Sequence, residues 1–172
     1  GLGDVYKRQD RKDHQMNEAD AHVNSRPITL FTIGFTGKSA EEFFGKLQRA
    51  GVKRLIDVRL NNVSQLAGFT KKKDLAYFLR AIANIDYVHY TDLAPTKEIL
   101  DSFKKEKHID WVDYEQQFRA LMEQRAPELR YKPEEFDHAC LLCSEAKPDE
   151  CHRRLVAEHL RGKWDDVEIK HL

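Results

Sequence analysis

No stretch of this chain approaches the roughly 18 consecutive apolar residues needed to cross a bilayer, and its first residues carry no signal-peptide core. An excess of one charge is also missing. The 172 residues hold 29 Lys+Arg against 29 Asp+Glu, so affinity for a polyanion would have to come from a local patch. Cysteine is scarce at three residues, an odd number that excludes a simple disulfide scaffold and suits a reducing compartment. No glycine-rich phosphate loop is present; Gly34 and Gly37 alone are weak evidence for a nucleotide. There is no internal repeat and no Pro-, Gly- or Ser-rich linker. The expectation is one cytoplasmic domain, without membrane attachment, cofactor or resident metal.

The N-terminal residues 1–26 are set apart as a disordered or artefactual arm. Asp4-Val5-Tyr6-Lys7-Arg8-Gln9 matches the translated end of a sequencing-library transposon, so residues 1–9 read as a scar and Met16 as a candidate native start. The segment up to Arg26 is polar and lacks periodicity. From Pro27 to Leu172 the pattern changes. Ile28, Leu30, Phe31 and Ile33 predict a strand ending at Gly34. Ser39 caps a helix whose buried stripe is Phe43, Phe44 and Leu47, and Gly51 stops it. Residues 52–58 are a second strand, 60–70 a loop, and 74–83 a helix with Leu75, Phe78, Leu79 and Ile82 inward. Residues 85–90 are a third strand. A long excursion follows, with a short helix capped by Thr96, a solvated charge run at 104–107, and an amphipathic helix over 110–124. Its aromatics Trp111, Tyr114 and Phe118 read as core rather than as a binding stripe.

The rest of the chain is organised around residues 138–161. Ala139-Cys140-Leu141-Leu142-Cys143 has the length and flanks of a strand buried on both faces. Pro148 breaks the chain, Asp149 is the expected cap, and Leu155, Val156 and Leu160 recur at helical spacing. Residues 167–171 close the domain as a fifth strand. Five strands alternating with helices predict a single-domain α/β fold: a five-stranded, mainly parallel sheet flanked by helices, Rossmann/flavodoxin-like. The length of the excursion suggests strand order 3-2-1-4-5, with the topological switch between strands one and four. Gly34, Asp57 and Cys143 would then share the rim where open α/β sheets bind ligands.

Three spaced motifs now become specific: Thr32-Ile33-Gly34-Phe35-Thr36, Ile56-Asp57-Val58-Arg59, and Leu141-Leu142-Cys143-Ser144-Glu145 followed by Cys151-His152-Arg153. Together they resemble the domain-of-unknown-function family 488 over about residues 28–172. The chain departs from that pattern at Thr36, where Ser is usual, and at Asn61, where Pro is frequent, which bears on the loop after Arg59. The resemblance implies excision of modified DNA bases in anti-phage defence. Gly34, Phe35 and Thr36, at the end of the first strand, are candidate substrate-binding positions.

The residues themselves leave alternatives open. Asp57 is suited to activating water or stabilising an oxocarbenium-like sugar, or to a structural ion pair with Arg59. Arg59 and Arg153 have the forked geometry for phosphate. His152 is a candidate general acid or base, and Glu145 either orients it or serves as a second acid. Cys140 and Cys143 should point to opposite strand faces, which argues against a redox pair or zinc knuckle between them. Cys151 at a helix start is either an activated nucleophile or a small packed hydrophobe, and Cys143 stands on the same rim. Lys71, Lys72 and Lys73 open a helix where cations are poorly placed unless they meet an anion such as a DNA backbone, and Phe69 beside them could stack on a base. The expected activity is therefore hydrolysis of the bond between a modified base and its sugar, the base flipped out of duplex DNA. The alternatives are a non-catalytic nucleotide or nucleic-acid binding module, or a thiol-dependent enzyme using Cys143 or Cys151.

Overall fold

The structure, a computed structural model, describes residues 26–63, 68–104 and 110–172. The proposed N-terminal arm up to residue 25, four residues of the 60–70 loop and most of the 104–107 charge run lie outside the described residues. Five strands form one sheet: β1 (Ile28–Gly34), β2 (Arg54–Asp57), β3 (Asp86–His89), β4 (Ala139–Cys143) and β5 (Val167–His171). Every neighbouring pair runs parallel. The α/β class and the five strands are as expected from the alternating pattern.

The strand order is not. It is β3-β2-β4-β1-β5, with β4 inserted between β1 and β2. Connection length misled here, because the long excursion after β3 returns across β2 alone. The central position suits β4, whose five residues are all buried. The edge position of β5 suits its alternation, with only Val167 buried.

The helices divide by direction of travel. α1 (Ala40–Arg49) and α2 (Lys72–Phe78) serve the outward moves to β2 and β3, and cover one face. Phe43, Phe44, Leu47, Leu75 and Leu79 pack there against Ile33, Leu55, Cys140 and Leu142. α3 (Lys97–Lys104), α4 (Trp111–Arg125) and α5 (His152–Lys163) belong to the return. On that opposite face Tyr114, Phe118, Met122, Leu155, Val156 and Leu160 pack on Leu30, Ile56, Val58 and Leu141. Right-handed crossovers require this split once the chain reverses direction. β4 therefore has, on each side, a neighbour whose connection leaves by the other face, the geometry that opens a crevice at the strand ends.

Three local expectations need correction. α2 passes into a π-turn over Leu79–Ala83, which rotates Ile82 outward to 49% exposure instead of into the core. Asp149 does not cap α5; Cys151 holds the N-cap position, without a side-chain cap bond. Phe69 packs inward against Phe43 and Phe44 rather than standing free to stack on a base. Ser39 and Thr96 cap their helices as expected, and Asp110, expected inside its helix, is the cap of α4.

Candidate active site

Helices that return a parallel strand start at the carboxyl end of the sheet, so the first turns of α4 and α5 reach the same rim as the end of β4. A cavity of about 230 Å³ lies there, between the β2 and β4 ends on the α4–α5 side. Cys143, Ser144, Glu145, Glu150, Cys151 and His152 form one side of it, and Arg59, Leu60 and Asn61 a second. The remaining wall is apolar and aromatic: Pro95, Leu100, Phe103, Trp111 and Tyr114. Trp111 and Tyr114 stack on each other at 5.1 Å between ring centroids.

Asp57 is not part of this cavity. Side chains alternate along a strand, and Asp57 is in register with Leu142, so both face α1 and α2 while Cys143 faces α4 and α5. The carboxylate is fully buried and its oxygens are saturated. Oδ1 accepts from the Arg59 backbone N–H (3.1 Å) and Nε (2.8 Å); Oδ2 accepts from the Arg59 guanidinium (2.7 Å) and the Tyr87 hydroxyl (2.7 Å). Burial, then the Asp57 charge, push the Tyr87 phenol well above its ordinary range, keeping it a donor. Asn62 donates onward to Tyr87, and His89 bonds the Arg59 carbonyl at 2.8 Å. This chain of bonds fixes the backbone of Arg59 to Asn62, which walls the cavity. The Asp57–Arg59 ion pair is thus realised in its structural form. Arg59 borders the cavity, but with its charge matched by Asp57 and its guanidinium over the Phe35 ring at 5.3 Å.

Arg153, the second expected phosphate ligand, is also turned inward at 1% exposure. Its guanidinium donates to the Glu145 carbonyl (2.6 Å), the Ala146 carbonyl (3.3 Å) and the Cys151 sulfur (3.2 Å), and its Nε has no partner among the described residues. Gly34 makes room for this arrangement: an added Cβ would lie 1.6 Å from the Glu145 carbonyl oxygen. Thr36 ties down the same loop through its backbone N–H to Ser144 (3.0 Å), while Phe35 is buried. Gly34, Phe35 and Thr36 thus support the loop after β4 and do not line the cavity. Lys71, Lys72 and Lys73 do not line it either.

The cavity does collect Cys143, Cys151 and His152, whose ligand atoms all lie within 4.8 Å of one another. His152 Nε2 bonds the Val58 carbonyl at 2.8 Å and must donate to it, which leaves Nδ1 as an acceptor 3.6 Å from Cys143 Sγ. Glu145 does not orient this imidazole; both of its nitrogens are used by other groups. The Cys143 thiol is held below its ordinary range. A hydrogen bond from Cys151 is the largest cause; burial opposes it, and the Glu145 backbone N–H, the Arg153 charge and the Ser144 backbone N–H add to it. Cys151 goes the other way, kept protonated by burial and by its bond to Cys143. Cys140, on the far face, is raised by burial alone against a small opposing effect of Arg153.

Charge decides what this trio does. A buried guanidinium without an anion costs several kcal/mol. Among the described residues Arg153 meets only two carbonyls and a sulfur. One thiolate at the cluster would balance it. The same three groups could hold a soft divalent ion with a position open to the cavity, but two thiolates around a dication sum to zero and leave Arg153 unmatched.

Sequence reasoning set the end of β4 and the first turn of α5 on one rim, but paired His152 with Glu145 rather than with Cys143 and missed the aromatic wall. The signal was available: Trp111 and Tyr114 occupy the first turn of α4, which an α/β topology delivers to the ligand-binding rim.

The fold and site define a parallel α/β domain with a thiol–imidazole pair at the centre of its carboxyl rim. The family model described as domain of unknown function DUF488 matches residues 39–160, and the chain belongs to that family. No curated protein and no solved structure matches it.

Proposed function

We propose that the protein is a cysteine-dependent enzyme in which Cys143 is the nucleophile. The observation that carries this reading is the buried Arg153, whose charge calls for a thiolate where Cys143 and Cys151 stand. His152, its Nε2–H pinned on the Val58 carbonyl, presents a neutral Nδ1 beside the Cys143 sulfur and passes a proton from water to the leaving group. Phe103, Trp111 and Tyr114 favour a flat or apolar substrate body.

The test is alkylation of the native protein with iodoacetamide from mildly acidic to alkaline pH, with the modified residue mapped by mass spectrometry. Cys143 should react below the pH at which an ordinary thiol does, with Cys140 and Cys151 protected. A Cys143 profile matching that of a free thiol would sink the reading.

A second reading is cleavage of a modified base from its sugar in DNA, with the base flipped into the cavity. It is favoured by the stacked Trp111–Tyr114 wall in the same cavity as Glu145. The acid in that case is Glu145, since Asp57 faces away. Incubation with DNAs carrying modified bases should then yield abasic sites with the native protein and with Cys143→Ser, but not with Glu145→Gln. Loss of product in Cys143→Ser instead returns the chemistry to the thiol.

A further inference from the structure

The two cysteines of the cavity are unlike in every respect that matters for exchange chemistry. Cys143 ends the central strand and Cys151 caps α5, with only the short loop of residues 144–150 between them, and most of that loop is exposed. Their sulfurs lie within 4.8 Å of each other, with His152 in the same cluster. Cys140 faces the other core and cannot take part. Both cluster sulfurs border a cavity whose opposite wall is apolar.

We propose that Cys143 and Cys151 act as an attacking and a resolving thiol that reduce organic hydroperoxides. The proposal rests on the thiolate reading above and supplies its substrate class. The Cys143 thiolate attacks the terminal oxygen of R–O–O–H. A sulfur–oxygen bond forms, the oxygen–oxygen bond breaks, and the alkoxide leaves as ROH with a proton drawn from solvent through His152. Sulfur gives up two electrons and becomes a sulfenic acid. The Cys151 thiol then attacks that sulfur; the disulfide forms, and hydroxide departs with the Cys151 proton as water. A low-molecular-weight dithiol restores both thiols by exchange. The disulfide is easily reduced, because oxidation removes the thiolate that balances Arg153 and reduction brings it back.

The test begins with the reduced full chain and one equivalent of cumene hydroperoxide, followed by peptide mapping without reductant. Expected are an intact mass lower by two hydrogens, a Cys143–Cys151 cross-link reversed by dithiothreitol, and steady hydroperoxide consumption while dithiothreitol lasts. Cys140→Ser should behave as the native protein. Cys151→Ser should form the sulfenic acid, trapped by dimedone on Cys143, and lose turnover. Cys151→Ala and a near-ultraviolet spectrum of each variant guard against misfolding as the cause. The proposal is overturned if Cys143 alkylates as a thiolate yet peroxide drives it to sulfinic acid without the cross-link, or if links form only between molecules. Failure of Cys143 to alkylate at low pH would instead remove the thiolate reading itself.

Discussion

Asp57 shows how far a single residue's role depends on which way it points. Its position at a strand end suits chemistry, but alternation sends Leu55 and Asp57 to one face and Ile56 and Val58 to the other. That alternation was legible in the sequence. The register with β4 that separates Asp57 from Cys143 was not, because it depends on which strand lies alongside. The structural role has a measurable consequence. Asp57→Asn leaves the Arg59 guanidinium buried and unpaired, and should lower the unfolding free energy by about 3–5 kcal/mol in denaturant titration. At low temperature, where the variant stays folded, Cys143 should still alkylate early. A variant of native stability would contradict the anchoring role. Cys143 carries a second prediction, on pH. Its thiol titrates lower in the folded protein than in the unfolded chain, so the unfolded state binds more protons between those two values. The stability difference between the native protein and Cys143→Ser should therefore shrink as pH falls through the folded value. It should grow as pH rises and level off above the ordinary thiol range of ~8.5. A difference independent of pH would mean that Cys143 stays protonated.

The loop between β4 and α5 is held from behind rather than by its own residues. Arg153 ties the Glu145 and Ala146 carbonyls from the first turn of α5, and β1 ends in Gly34 because nothing larger fits against the Glu145 carbonyl. The backbone N–H groups that favour the Cys143 thiolate belong to this loop. Gly34→Ala should therefore act on two readouts at once. The collision is with backbone, so the loop has to move, at a cost of about 1–3 kcal/mol or more. The early alkylation of Cys143 should shift toward the pH of a free thiol. If stability falls but the alkylation profile stays, the loop N–H groups do not tune the sulfur. At this scale the sequence was readable wherever periodicity and caps agreed, as for β1, α1, α4 and β4. It failed where tertiary packing overrode the local pattern. The π-turn ejects Ile82, and Phe69, flanked by Gly68 and the lysines, is drawn in by Phe43 and Phe44 from a helix far along the chain.

For the whole molecule, the strand order was the expectation that failed, yet its cue was present in composition. A run as apolar as Ala139 to Cys143 belongs at the centre of a sheet, and a Val-Glu-Ile-Lys-His alternation belongs at its edge. Burial was a better guide to order than connection length. The central place of β4 has a consequence for global stability. A disulfide closing a loop as short as that from Cys143 to Cys151 ordinarily stabilises a protein by about 2.5 kcal/mol through the unfolded chain. Here oxidation also abolishes the thiolate, leaving Arg153 charged and buried in the middle of the fold. Stranding a buried charge costs about 3–5 kcal/mol. The second effect outweighs the first, so the oxidised protein should melt below the reduced one, the reverse of ordinary disulfide behaviour. By linkage, the same deficit should make the bond yield to mild dithiol reductants under native conditions. Calorimetry on the reduced and cross-linked forms at neutral pH checks this directly. A cross-linked form melting higher would show that Arg153 finds its counter-charge elsewhere, and the case for a Cys143 thiolate would lose its main support.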